Sequence, residues 1–173
     1  INKPQETKTV NFQHHIQPPA ALDAPLPGMG QLGAFYATFG GVLLYHDADS
    51  GDAARYIAPP AEWAELHEAF GGWIEHLGDE EREEILPDWI DHCLVIGETP
   101  HSGNYILMAT EGECAGQVFE FDHDGYEFTH GANDLVAYVE GMLQLSSETL
   151  ANFASRMRFI DKNTGAQWWI LEM

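Results

Sequence analysis

The stretch from Pro100 to His130, PHSGNYILMATEGECAGQVFEFDHDGYEFTH, constrains the fold more than any other part of the chain. Three apolar runs sit in it: Asn104–Ala109, Gln117–Asp122 and Tyr126–Phe128. The turn-forming sequences Glu-Gly-Glu and Asp-His-Asp-Gly separate them. β-Branched and aromatic runs between Gly/Asp punctuation are the signal of strands joined by hairpins. Side chains alternate across a strand, so Phe119 and Phe121 are expected to point together into a core, with Val118 and Glu120 on the opposite face. The second turn calls for a residue tolerant of positive φ, and Gly125 is expected to fill that place. The stretch predicts an antiparallel meander at the centre of the domain.

Helices are predicted on either side of it. Leu32, Phe35, Tyr36 and Phe39 repeat at i, i+3, i+4 and i+7, which makes Met29–Phe39 a helix ended by Gly40-Gly41. Strands are expected at Val42–His46 and Arg55–Ile57. Pro59-Pro60 opens a longer amphipathic helix carrying Trp63, Leu66, Phe70, Trp73, Ile74 and Leu77, expected to bend or split at Gly71-Gly72. Asp79 is expected to cap a short helix, Glu80–Leu86, that Pro87 terminates. Cys93–Ile96 leads into the meander as a strand. After the meander, Asn133 or Asp134 caps a helix with Leu135, Val136, Val139, Met142 and Leu143 inward, and Ser146 starts another through about Met157. A hairpin closes the chain: Phe159-Ile160, a turn at 161–165, then Trp168–Leu171. Residues 1–27, broken by five prolines, are expected to be an irregular lead-in to a single domain over 28–173. At 173 residues and 45% apolar content, such a domain can bury roughly 70% of its unfolded-state surface. The fold class expected is α+β, a mainly antiparallel sheet with helices packed against it.

The charge is lopsided. The net value is −21, from 28 acids and 7 bases. Residues 1–58 carry −2 and residues 141–173 carry none, so 59–140 holds −19 with Arg82 its only base. Such a field repels nucleic acid and anionic membrane and attracts basic partners; acids also serve solubility alone. Asp79, Glu80, Glu81, Glu83 and Glu84, with Glu111 and Glu113, are the candidate partner-binding residues. No apolar run approaches a membrane span. Cys93 and Cys114 are expected to be free thiols in a reducing cytoplasm.

Motifs for chemistry are missing. No P-loop, nucleophile elbow, dinucleotide fingerprint or zinc-protease motif occurs. His92 and Cys93 are neighbours, so on a strand they face opposite ways. His101-Ser102 has no nearby Asp in the sequence. Nine histidines show no H-x-H, H-x₃-H or C-x₂-C spacing. Asp47, Asp49 and Asp52 approximate a calcium loop, but a loop opening at Asp47 needs Gly sixth and an acid twelfth, where Asp52 and Ala58 stand. Asp122-x-Asp124-Gly125 can hold a cation, but a hairpin turn accounts for it. The expectation is a chain without catalytic residues, metal or cofactor. A small hydrolase with an unrecognised site is the enzymatic alternative.

Taken in order, Phe35-Tyr36, Gly40-Gly41-Val42, Ala58-Pro59-Pro60-Ala61-Glu62-Trp63, Ile96-Gly97-Glu98, Gly103–Leu107, Gly116–Gly125 and Ala132–Val139 resemble the SUKH superfamily over residues 30–145. That superfamily includes a fungal cell-wall-synthesis regulator and bacterial toxin-immunity proteins. The resemblance implies that Gly103, Asn104, Asp124 and Gly125 define the fold and do not act in catalysis. It implies a non-enzymatic binding protein, foremost an immunity protein neutralising a cognate toxin of a polymorphic toxin system; the −19 block independently suits a basic toxin such as a nuclease. A regulatory scaffold is the alternative within the same family.

Overall fold

A computed structural model describes residues 9–160, 163–165 and 167–169. Seven strands form one sheet in which spatial order equals chain order: β1 Gln13–Ile16, β2 Val42–His46, β3 Ala53–Ile57, β4 Cys93–Thr99, β5 Asn104–Ala109, β6 Val118–Asp122 and β7 Glu127–Ala132. Every neighbouring pair is antiparallel. The meander expected at the centre therefore extends across the whole sheet. Among the described residues five α-helices surround it: α1 Leu32–Thr38, α2 Trp63–Ile74, α3 Asp79–Ile85, α4 Leu135–Met142 and α5 Ser147–Ser155. The α+β expectation holds.

Alternation along the strands sends apolar side chains to both faces, and both faces are covered. On one, Leu44, Ile57, Ile96, Ile106, Met108 and Val118 meet Leu32, Phe35 and Tyr36 of α1 and Leu135 and Tyr138 of α4, with Leu150 and Phe153 of α5 alongside. On the other, Val95, Tyr105, Leu107 and Phe121 meet Leu66 and Phe70 of α2. Phe121 packs edge-on to Phe70 at 5.1 Å, while Phe119 stacks on Trp89 at 4.4 Å, so the two Phe do share a face. Antiparallel sheets commonly leave one face wet; here each face has its own helix layer.

Several local expectations are corrected. The lead-in is not irregular throughout: β1 pairs with β2, and Gln17 N–H donates to Gly41 O while Gly40 N–H donates to Gln17 O, both at 2.8 Å. All four β1 side chains are exposed, so the strand has no hydrophobic signature and is held through backbone pairing. Gly40-Gly41 does not end α1 in a left-handed cap. The C-cap is Phe39 in extended conformation, and Gly40 is required because a Cβ there would lie 2.3 Å from Pro18 O. The second helix continues unbroken through Gly71-Gly72 to Ile74, with the Leu66/Phe70 contacts holding it. Gly78, not Asp79, caps α3; its N–H donates to Glu81 Oε2 at 2.9 Å. The left-handed residue of the β6–β7 turn is Tyr126, at φ 51°, and not Gly125. Leu143, expected inward, is 50% exposed beyond the end of α4.

Asp134 caps α4 by accepting from Ala137 N–H, and Ser146 caps α5 by accepting from Thr149 N–H. The terminal hairpin forms with Arg158–Ile160 (β8) paired to Gln167–Trp169 (β9). Leu171 lies outside the described residues, as do residues 1–8 of the lead-in.

Candidate functional site

The two helix layers differ sharply in charge. Helices α2 and α3 carry Glu65, Glu68, Asp79, Glu80, Glu81, Glu83 and Glu84 against one base, Arg82. Helices α1, α4 and α5, on the opposite side of the sheet, carry only Glu140 and Glu148. The reason is local. Helix α2 spends its apolar stripe on the sheet and leaves its remaining surface to Glu and His. Helix α3 has no fully buried residue, so its acids all face water. Arg82 is committed to this layer: its Nη1 donates to Ile74 O at 3.1 Å and its Nη2 lies 3.6 Å from Asp91 Oδ1.

The loop from β5 to β6 brings Glu111 and Glu113 to the same face. A cleft of about 700 Å³ is lined by Asp88, Trp89, His92, Glu111, Glu113 and Cys114, among others. Trp89 is half-buried and fixed by Phe119 beneath it and by Phe128 edge-on at 5.9 Å. His92 Nδ1 lies 3.5 Å from Glu111 Oε1. Glu111 and Glu113, remote in sequence from Asp88, thus meet it around one indole ring. Cys93, on the same side of the sheet, has its thiol pushed up to about 12 by burial and then by Asp91, which keeps it protonated at neutral pH.

The opposite face holds a half-buried polar cluster with no local signal in the sequence. Arg55 of β3 donates through Nε to Glu120 Oε1 at 3.0 Å and through Nη2 to Oε2 at 2.9 Å; its Nη1 donates to Ala54 O at 2.7 Å. Tyr138 of α4 donates its hydroxyl to Glu120 Oε1 at 2.5 Å. Burial pushes the Glu120 carboxyl up, but the Arg55 charge and the two sets of hydrogen bonds outweigh it and hold it below its usual range. Burial likewise opposes the Arg55 charge and is outweighed by Tyr138 and Glu120. The Tyr138 hydroxyl, raised by burial first, stays protonated. Every carboxylate oxygen is satisfied within the protein, which is the geometry of a fixed structural link between strand, strand and helix.

Two expected turns carry more than turn geometry. At the end of β2, Asp47 is buried and accepts from Ser50 N–H at 2.9 Å, so this loop closes on itself. His101 does have an acidic partner: its Nδ1 lies 3.0 Å from Asp52 Oδ1, contributed from 49 residues upstream. Ser102 is not available to that pair. Its hydroxyl donates to Thr99 O at 2.7 Å and accepts from Asn104 N–H at 3.0 Å. Gly103, at φ +81°, packs so tightly that a Cβ would sit 2.7 Å from the Trp73 ring. Asn104 Oδ1 accepts from His123 N–H at 3.1 Å and lies 2.6 Å from His123 Nδ1. Asp124 N–H donates to Asp122 Oδ1 at 3.0 Å.

No protein-family model, curated protein or solved structure matches the chain. The site is therefore read from its own geometry. Asp79, Glu80, Glu81, Glu83 and Glu84 project from α3, and Glu111 and Glu113 from the β5–β6 loop, all seven exposed. Sequence reasoning missed Asp88 and Trp89 as companions of Glu111 and Glu113. The available signal was Pro87-Asp88-Trp89, an aromatic residue preceded by an acid just after a helix stop.

Proposed function

We propose that this chain is a non-enzymatic binding protein of SUKH type, an immunity protein that neutralises a cognate toxin through a basic face on the toxin. One observation carries the reading: the acids of the helices gather on one side of the sheet, seven on α2 and α3 against two, Glu140 and Glu148, on α1, α4 and α5. A one-sided field orients an incoming basic protein, whereas charge serving solubility needs no side. The Trp89 cleft supports the same reading. Interfaces place an aromatic anchor within a charged and polar rim, and Trp89 stands among Asp88, Glu111 and Glu113. A nuclease toxin is a fitting partner, because its nucleic-acid site is basic and an acidic inhibitor can occupy it.

The test is association kinetics with a toxin recovered by pull-down from the source cells. Changing Glu80, Glu81, Glu83 and Glu84 together to Gln retains the Glu81 oxygen that caps α3. The variant should keep its fold and lose association rate by roughly tenfold at low salt, with the gap closing toward molar salt. Unchanged association at low salt would remove α3 from the interface. Unchanged association after Asp88, Glu111 and Glu113 are also neutralised would end the electrostatic case.

A further inference from the structure

We propose that the β6–β7 turn binds a divalent transition-metal ion through His123 Nε2 and the carboxylates of Asp122 and Asp124. One donor atom from each of these residues lies within 4.8 Å of the others. The argument begins outside that trio, at Asn104. Its Oδ1 accepts the His123 backbone N–H at 3.1 Å, which fixes that atom as the amide oxygen and not the nitrogen. The same oxygen lies 2.6 Å from His123 Nδ1. Only a protonated Nδ1 makes that a bond, so the neutral imidazole carries its proton on Nδ1 and a lone pair on Nε2. Nε2 faces Asp124 Oδ1 at 3.1 Å. A lone pair and a carboxylate at that distance repel unless a positive charge lies between them. A second proton or a metal ion supplies it.

The surroundings favour the metal. A histidine that binds a metal usually donates its other ring N–H to a carboxylate or carbonyl, which sets the tautomer and aims the free nitrogen. Asn104 does this from β5. Trp73 holds the ring from the side, at 4.7 Å between ring centres, and the imidazole is only 25% exposed while Asp124 is 88% exposed. A pre-aimed nitrogen beside a free-swinging carboxylate leaves an entry path for an ion. Metal bonds of about 2.1 Å to two atoms 3.1 Å apart make an angle of about 95°, close to octahedral. One imidazole with two carboxylates suits zinc, cobalt or nickel better than magnesium or calcium, which take all-oxygen sets.

The probe is Zn²⁺, titrated at pH 7.5 into chelator-stripped protein and followed by calorimetry and by ¹H–¹⁵N NMR. The expected result is one saturable site whose shifts centre on His123, Asp124, Asn104 and the Trp73 indole. His123→Gln should abolish it, and Asp124→Asn should weaken it by about tenfold or more. His14→Ala/His15→Ala, distant on β1, should leave it intact, and circular dichroism should show each variant folded. Three results would overturn the proposal: no saturable binding up to millimolar Zn²⁺, binding that survives His123→Gln, or ring nitrogens that report an imidazolium indifferent to the metal, meaning that a proton fills the gap.

Discussion

Replacing Glu120 by Gln tests the half-buried cluster. Glu120 accepts two bonds from Arg55 and one from Tyr138. Glutamine keeps one acceptor oxygen, replaces the other with a donor that faces the guanidinium, and strands the Arg55 charge. Breaking a fully buried pair costs about 3–5 kcal/mol. Here the Arg55 and Glu120 side chains keep 23% and 30% of their exposure, and Arg55 retains Ala54 O, so about 2 kcal/mol is the better figure. For a chain of this length that is roughly 4–8 °C in melting temperature. The penalty should depend on pH. The Glu120 carboxyl is held below its ordinary range in the folded state. Its contribution is therefore complete above the unfolded value, about 4.3, and disappears as pH falls through the lower folded value. Urea melts of both proteins at pH 7, 5 and 3 should show a full gap at pH 7 and 5 that narrows at pH 3, where the unfolded chain already takes up the proton. A gap below about 0.5 kcal/mol at pH 7, or one of equal size at all three pH values, would refute the reasoning.

Two further outcomes follow from the geometry. Gly103→Ala should destabilise by about 1–3 kcal/mol in denaturant melts, because φ is +81° and the added carbon would strike Trp73, whereas Gly125→Ala should stay within about 0.5 kcal/mol, since its φ is ordinary and only the flexible Glu127 side chain is near. Glu98 has its carboxyl pushed up by burial, with Glu62 and Glu65 adding to it and His101 opposing. Its ionisation thus favours the unfolded chain, so Glu98→Gln should melt higher than the native protein at pH 8, and the difference should vanish on acidifying below about pH 4.

The elements that the sequence made legible are those whose side chains alternate or repeat. Strands β2 to β6 and helices α1, α2 and α4 announce themselves through Val, Ile, Leu and aromatic spacing, because burial on one face imposes a period, and α5 through the Ser146 cap at its start. Strand β1 has no such period: Gln13, His14, His15 and Ile16 are all exposed and contribute backbone bonds that any residue can make. Tyr45 and Tyr126 sit at positive φ without being Gly. Tyr45 N–H leaves the ladder for His14 Nδ1 at 3.2 Å, a long-range partner invisible to local propensity. The Gly125 expectation failed for the same reason: which residue of a turn rotates is settled by register, and Tyr126 is held by its hydroxyl on Trp73 O at 3.0 Å. The acid residues of the candidate face were legible as composition, but their gathering at Trp89 was not, since it depends on the β5–β6 loop meeting the segment after α3.

The placement of charge in this fold has a physical logic that bears on function. A sheet buried on both faces has no room for unpaired ions, and the charged pair that does reach between its layers, Arg55 with Glu120, is mutually neutralised and capped by Tyr138. The acid excess must therefore go to the outer surfaces of the helices and to loops. Both layers offered such surfaces. Helices α4 and α5 are as able to carry Glu as α2 and α3, since Glu is a good helix former in either place. Folding energetics alone do not select one layer, and like charges packed on α3 repel at i, i+4 spacing, as Glu80 with Glu84 does. The helix dipole offsets part of this for Asp79, Glu80 and Glu81 in the first turn of α3, but Glu83 and Glu84 stand toward its C-terminal end, where it does not. If the proposed basic partner docks on this layer, it relieves that repulsion, and local stability should rise on binding. Hydrogen exchange in α3 should then slow when the partner binds, and do so less in the Glu→Gln variant, where the repulsion is already gone.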